Sequence, residues 1–156
     1  GIGYLFNTGN SQINLNASVG KNDSNTIDFN LSSPNTITRV SNGGTDAFLA
    51  DLQATGYPSS LGATLSIGGT GDDAATSVMV RGSQTVIGGR FRGTVNFNPS
   101  GTANNITATG GSDGFIASYN GASHFAIKRG GILDDEVKAL TFASAASNLP
   151  CNSVLF

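Results

Sequence analysis

A ten-residue motif occurs twice in this chain, and the segments on either side of it recur as well. The motif reads GGTDAFLADL at residues 43–52 and GGSDGFIASY at residues 110–119, so that Asp46 and Asp113 lie 67 residues apart. The recurring flanks are TIDFN and TVNFN before the motif, and GGTGDD and GGILDD after it, at residues 26–30, 94–98, 68–73 and 130–135 respectively. Three elements in one order, at nearly one spacing, predict a repeat architecture.

The amino-acid usage favours short strands and tight turns over helices. Gly accounts for 22 of the 156 residues, whereas the chain has only three Lys, no Trp and a single Glu, Glu136. Long helix-favouring side chains are therefore rare, and turn formers and β-branched residues dominate. A hydrophobic fraction of 38% with few charges predicts a folded core, and a chain of this length can bury one as a single domain.

Charge and cysteine content exclude several classes of partner. The formal net charge is −2, and the basic residues cluster only around Arg81, Arg90 and Arg92, which predicts no nucleic-acid partner. No apolar run reaches the roughly 18 residues of a membrane span. The single Cys151 cannot form a disulfide within the chain. Few charges with abundant Asn and Thr are typical of bacterial secreted or cell-surface proteins.

Alternating apolar and polar residues predict about four short strands in each repeat unit. One strand follows the Asp pair, one lies at the Thr-Ile or Thr-Val element, one lies at the Asp-Ala-Phe or Asp-Gly-Phe element, and one precedes the Gly-Gly pair. Helix competes only at residues 134–146, where apolar residues have helical spacing. The aligned segment at residues 72–80 favours a strand, with Val78 over Leu140, so we predict a strand in both places.

The string VIGGRFRGTVNFNP at residues 86–99, taken with the two repeated Gly-Gly elements, resembles the bacterial SBBP-type β-propeller repeat. The resemblance covers about residues 26–142. It implies an all-β chain of four-stranded antiparallel, blade-like units in a secreted or surface-attached bacterial protein, and it implies no reaction. It departs from the pattern at Ile132 and Leu133, where the first copy has Thr70 and Gly71.

The number of units is too small for a closed ring. A propeller needs about four blades or more, and this chain holds about two units within a single all-β module, residues 1–156. We divide it into a partial unit at 1–52, a unit at 53–119 and a partial unit at 120–156. The chain is then expected to be part of a longer propeller, to complete a ring by oligomerising, or to stack in an open assembly. Residues 152–156 resemble the start of the strand at 85–87, and residues 2–6 resemble the same strand entered midway.

The aspartates are the main candidates for a site. An Asp after a Gly-rich turn can cap backbone N–H groups, and this is the function we predict for most of them. Paired Asp side chains could instead hold Ca²⁺, although the ligand spacing of a known calcium loop is missing. Asp28 aligns with Asn96, so charge is not essential there. The aspartates in question are the two pairs, Asp72 with Asp73 and Asp134 with Asp135, and the two motif residues, Asp46 and Asp113.

No constellation for catalysis, cofactor binding or metal binding stands out. His124 is the only histidine, and Cys151 the only cysteine, so both are predicted to be structural. The Gly-Gly pairs lack the Lys and Ser or Thr of a phosphate-binding loop, so they are predicted to be turn glycines.

The predicted function is therefore non-enzymatic: a structural or adhesion module that acts through β-sheet assembly with neighbouring blades or subunits. Its expected partners are other protein chains or further blades of the same protein. The alternative is a lectin-like propeller module that binds glycans with loops around Tyr57 and Tyr119, since aromatic platforms commonly stack on sugars.

Overall fold

The computed structural model describes residues 3–7, 12–19, 26–29, 36–53, 60–81, 83–120, 123–142 and 154–155. Within them the chain forms strands and no helix. No helix of the length and apolarity needed to cross a membrane occurs in this described part. The strands in chain order are β1 Gly3–Asn7, β2 Gln12–Val19, β3 Thr26–Asp28, β4 Thr38–Val40, β5 Asp46–Gln53, β6 Ser60–Ile67, β7 Ala74–Arg81, β8 Gln84–Asn96, β9 Asn105–Asn120, β10 Ser123–Arg129, β11 Thr141–Phe142 and β12 Val154–Leu155.

Two four-stranded antiparallel sheets carry the fold, and they confirm the predicted all-β class. The first sheet has the order β1-β2-β5-β6 and the second β7-β8-β9-β10, and neither sheet closes on itself. The two sheets share one register. Asp46 lies opposite Val19 on β2, and Asp113 lies opposite Phe91 on β8, so β2 takes the place of the first half of β8. The repeat in the sequence is thus a repeat of strand pairing.

The second unit contains one long hairpin, β8 with β9, where the first unit has two separate antiparallel pairs, β2 with β5 and β3 with β4. Strand β8 covers the residues that align with β2 and β3, and strand β9 covers the residues that align with β4 and β5. A bulge between Arg92 and Thr94 bends β8 in the middle. Gly93 lies at this bulge with φ of 64°, a conformation that glycine adopts without a steric penalty.

A third unit begins at the end of the chain. Strand β11 pairs with β12 through Thr141 opposite Leu155, as Met79 pairs with Val86 in the second unit. This pairing confirms the predicted likeness between residues 152–156 and 85–87 for the described pair 154–155. The matching prediction for residues 2–6 is wrong: β1 pairs with β2 as β7 pairs with β8, so β1 takes the place of the edge strand β7.

The sheets place the unit boundaries in the Gly-Gly and Asp-Asp loops. A division at 52/53 passes through β5, which pairs with β6 up to Gln53 opposite Ser60. A division at 119/120 passes through the end of β9, where Asn120 pairs with Ser123. The strand predicted after the second Asp pair forms only at Thr141–Phe142, and residues 134–140 are neither helix nor strand.

The main core lies between the two sheets. The aromatic rings of Phe97 and Phe115 pack with centroids 5.0 Å apart, and Phe91 packs edge-on against Phe97 at 5.3 Å. The first unit repeats the pair, with Phe29 against Phe48 at 4.8 Å. Apolar residues of the first sheet complete the core between the sheets: Ala47, Leu49 and Ile67.

Candidate functional site

The repeated motifs meet in space and form what we call a joint. The first joint consists of residues 43–46 and 68–73, and the second of residues 110–113 and 130–135. In the first joint the Gly44 N–H donates to Gly71 O at 3.0 Å, and the Asp73 N–H donates to Thr45 O at 2.6 Å. Asp72 Oδ1 accepts the Thr45 N–H at 3.0 Å. The Gly-Gly-Thr-Asp and Gly-Asp-Asp elements are therefore two halves of one structure.

The second joint repeats two of these three bonds, those that involve the Asp pair, with different residues. Asp134 Oδ1 accepts the Ser112 N–H at 2.7 Å and the Ser112 hydroxyl at 3.1 Å. The Asp135 N–H donates to Ser112 O at 2.7 Å, as Asp73 does to Thr45. The replacement of Thr70 and Gly71 by Ile132 and Leu133 leaves this geometry in place, and it exposes two large apolar side chains, at 79% and 74%.

Glycine is required at the contact between the two halves of each joint. A Cβ atom on Gly44 would lie 2.0 Å from Asp72 Oδ1, and one on Gly111 would lie 2.2 Å from Asp134 Oδ1. Real Cβ atoms do not approach other atoms so closely, because the overlap is strongly repulsive. The second glycine of each pair thus leaves room for the carboxylate that caps the turn.

Hydrogen bonds confirm that these aspartates cap turns. Asp46 Oδ2 accepts the Asn42 N–H at 2.9 Å, and Asp113 Oδ2 accepts the Thr109 N–H at 2.9 Å. Asp135 Oδ2 accepts the Gly131 N–H at 2.9 Å, four residues before it. The described residues contain no group of three or more His, Cys, Asp or Glu side chains arranged to hold a metal ion. Calcium binding by the Asp pairs stays a prediction.

Asp73 differs from Asp135, its counterpart in the second joint, because its carboxylate accepts hydrogen bonds from two units. Its Oδ2 accepts the Gly69 N–H at 2.8 Å within the first joint, and its Oδ1 accepts the Arg92 N–H at 2.9 Å from β8 of the second unit. The residue is 1% exposed. Burial raises the pKa of this carboxyl to about 6, although both N–H groups act in the opposite direction. Asp135 stands at the same place in the second joint and is exposed.

Arg92 connects the two joints. Its backbone N–H binds Asp73, while its side-chain Nη2 lies 3.1 Å from Asp134 Oδ1 in the second joint. The Ser112 N–H, followed by the Ser112 hydroxyl and the Arg92 guanidinium, lowers the pKa of Asp134. Both side chains of this ion pair are well exposed, so its contribution to stability is small.

The two motif aspartates are fully buried. Asp113 has Lys128 Nζ at 3.4 Å from its Oδ2, whereas Ser66 takes the place of this lysine in the first unit. Burial raises the pKa of Asp46, and the Asn42 N–H opposes the shift. In both residues Oδ1 accepts no hydrogen bond from the described part of the protein.

Two open cavities lie side by side at the second joint. The larger has a volume of about 500 Å³ and is lined by residues that include Gly114, Gly130, Asp135 and Val137. The smaller, of about 330 Å³, lies between Arg90 of β8 and the 134–138 segment. Both are more open than a typical enclosed ligand pocket, and their walls are the edge of the second sheet and the start of the third unit.

The remaining candidate residues lie apart from the joints. Asp28 Oδ1 accepts the Ile37 N–H at 2.9 Å, and Asn96 Oδ1 accepts the aligned Asn104 N–H at 2.9 Å, so an oxygen acceptor suffices there. His124 lies on β10 opposite Tyr119 and is partly buried. Cys151 and Tyr57 lie outside the described residues.

Tyr119 faces the protein interior. Its hydroxyl donates to Phe97 O at 3.0 Å, its ring packs against the main core, and burial raises its pKa. Sequence reasoning named this residue for glycan contact and did not anticipate the inward orientation. It also did not anticipate the connection through Arg92. The two arginines of the Arg-Phe-Arg string in β8 were the one sequence feature that could have indicated an ion pair with an aspartate of the second joint.

The chain matches no protein-family model, no curated protein and no solved structure.

Proposed function

We propose that this chain is a non-enzymatic structural or adhesion module of a secreted or surface bacterial protein, built from blade-like units that assemble through their sheets. The observation that supports the proposal is the recurrence of the same packing between consecutive units. In the first interface Ala75 and Val78 of β7 lie in the core that joins the two sheets. In the second, Val137 and Leu140 occupy the aligned positions and pack on the second sheet.

The contacts of the second interface are close. A Cβ atom on Gly88 would lie 2.8 Å from Val137 Cγ1 and 3.1 Å from Leu140 Cδ1, so the segment lies directly on the backbone of β8. The Val137 N–H donates to Gly89 O at 3.1 Å, and the Leu140 N–H donates to Ser77 Oγ at 3.1 Å. The second unit thus offers the next unit a surface of glycine backbone and apolar side chains, which is the arrangement of a stacking repeat.

Composition supports the proposed location, since the chain is poor in Lys and Glu and rich in Gly, Asn, Ser and Thr. The resemblance to surface-protein propeller repeats supports it too. The second joint adds an exposed apolar surface formed by Ile132 and Leu133 beside the open cavities. Such surfaces commonly serve protein association.

The test is the mass of the full chain in solution, measured by size-exclusion chromatography with light scattering over a hundredfold range of concentration. We expect the mass to rise with concentration, and the variant Ile132→Asp with Leu133→Asp to shift the rise to higher concentration. Val40→Asp is the matched control, because Val40 is 55% exposed on β4, away from the joints. A strictly monomeric chain at every concentration would contradict assembly between copies.

The glycan alternative stays a prediction. Of its two proposed contact residues, Tyr119 has its hydroxyl bonded to Phe97 O and its ring in the core. A glycan array with and without Ca²⁺ tests it, and binding to a defined sugar would favour it over assembly.

A further inference from the structure

At the first joint, strand β8 of the second unit pairs with its own edge strand β7 and also contacts the loop that leads from the first unit. Gly89 and Arg90 of β8 pair with Ala75 and Ala74 at the start of β7. Two residues further along the same strand, the Arg92 N–H donates to the buried Asp73. The strand therefore binds the segment after the Asp pair and the second Asp of the pair at the same time.

The same strand packs on the loop of the first joint. A Cβ atom on Gly71 would lie 2.7 Å from Arg92 Cβ, and one on Gly69 would lie 2.3 Å from Thr94 O. The loop backbone and the strand backbone are thus in direct contact. This contact and the bond to Asp73 account for the burial of that carboxylate.

The second joint has the residues that would bind such a strand. Asp135 stands where Asp73 stands in the first joint and is exposed, and a Cβ atom on Gly131 would meet nothing within 4 Å. In the described part of the chain no strand pairs with residues 136–140, and the cavity of about 500 Å³ lies along this segment. We call this cavity, which is lined by Gly130, Asp135 and the segment that begins at Glu136, the groove.

Resting on the proposed function, we propose that this groove binds one extended strand of another repeat unit, with the sequence pattern Gly-Gly-basic-apolar-basic of residues 88–92. The strand pairs with residues 136–140 and continues the pairing of β11 with β12. The backbone N–H of its second basic residue donates to Asp135, as the Arg92 N–H donates to Asp73. The partner is thus defined by its extended backbone, by glycine at the first two positions of the pattern and by basic residues at the third and fifth.

Glycine is required in the partner because of the close approach seen in the first joint. A Cβ atom on Gly89 would lie 2.0 Å from Ala74 O and 2.8 Å from Ala75 Cα. Glu136 and Val137 stand at the aligned positions in the second joint. A β-branched residue in the incoming strand would prevent pairing there.

Basic residues are favoured because the second joint is more acidic than the first. Glu136 stands where the second unit has Ala74, which lies opposite Arg90. Together with Asp134 and Asp135 it gives three consecutive acidic residues at the second joint. Lys138 forms an ion pair with Glu136, so an arriving arginine competes with that lysine for the carboxylate. Cross-strand pairs of opposite charge stabilise antiparallel pairing.

The experiment uses the full chain and a fluorescent peptide of residues 88–97, GGRFRGTVNF, with anisotropy as the readout. We expect saturable binding, and loss of binding for the same peptide with Gly89→Val, which keeps its charge. In the protein, Asp135→Ala is expected to weaken binding by about tenfold or more, because it removes a charged hydrogen-bond acceptor. Asp28→Asn is the matched control, since Asn96 already fills that role in the second unit.

The outcomes separate this inference from the proposed function. Absence of peptide binding, or equal binding of the Gly89→Val peptide, overturns the inference even if the chain assembles, because assembly then uses another surface. Binding of the peptide by a chain that stays monomeric supports the inference and contradicts self-assembly. Circular dichroism of Asp135→Ala verifies that the fold is retained. We expect it to be retained because the exposed Asp135 carboxylate accepts a hydrogen bond from Gly131 N–H within its own loop.

Discussion

Replacement of Asp73 by Asn is expected to change how the stability of the chain depends on pH. Asp73 is buried between two units and has a pKa of about 6, against an ordinary value of 3.8. A carboxyl whose pKa is raised by folding binds its proton more tightly in the folded state. Its contribution to stability is therefore fully present below pH 3.8 and is lost as the pH rises through 6.

The magnitude follows from the size of the shift. A change of about two pKa units corresponds to about 3 kcal/mol in the free energy of unfolding. The free energy of unfolding of the wild-type chain falls by this amount between acid and neutral pH. That of the Asp73→Asn variant does not, because Asn does not titrate. Asn accepts only one of the two bonds from Gly69 and Arg92, which costs about 1–3 kcal/mol at every pH. Asp73→Asn is thus destabilising by about 1–3 kcal/mol at pH 3.5, and at pH 7 it lies between neutral and about 2 kcal/mol stabilising.

Urea unfolding followed by far-ultraviolet circular dichroism at several pH values measures this difference. Asp134→Asn is an informative comparison, since the pKa of Asp134 is lowered by folding and its contribution is lost as the pH falls. Its deficit in stability should grow from acid to neutral pH, opposite to that of Asp73→Asn. A constant difference between Asp73→Asn and wild type from pH 3.5 to 7 would refute the reasoning.

Three further substitutions test the joints and the core by urea unfolding at neutral pH. Gly111→Ala should destabilise the chain by about 1–3 kcal/mol, because its Cβ would lie 2.2 Å from Asp134 Oδ1. Gly131→Ala should be nearly neutral, because its Cβ would meet nothing within 4 Å. Equal effects of the two substitutions would contradict the packing of the joint. Tyr119→Phe should cost about 1 kcal/mol through loss of the bond to Phe97 O, and an unchanged stability would show that this bond is not formed. Val137→Ala should cost about 1.5 kcal/mol for two buried methyl groups on Gly88 and Gly114, and no loss would mean that the third unit does not pack on the second.

Sequence reasoning predicted the elements of the fold that depend on local pattern. Alternation around Phe48 and Phe115, and the turn residues at each Asp pair, were sufficient to predict strands and caps. Alignment of the two copies also predicted a strand at residues 152–156 that resembles the one at 85–87, and residues 154–155 form a strand. These features repeat, so each copy supports the interpretation of the other.

Features that depend on contacts between units could not be predicted in this way. The identity of β1 as an edge strand is decided by the pairing of β2 with β5, which lies across more than 25 residues of sequence. The burial of Asp73 depends on Arg92, and the exposure of Asp135 on its position one unit further along. Two aligned residues with the same local sequence therefore differ in environment, and only the three-dimensional arrangement distinguishes them.

The connection through Arg92 has a consequence for the energetics of mutation. This residue donates its backbone N–H to one joint and its guanidinium to the next, so the two joints share a member. Effects of substitutions in residues that share a partner do not add. A change at Asp73 should therefore alter the effect of a change at Asp134, although the two aspartates belong to different joints. In a longer array of such units, each joint would be coupled to its neighbours, and the array would unfold in larger cooperative segments than single units.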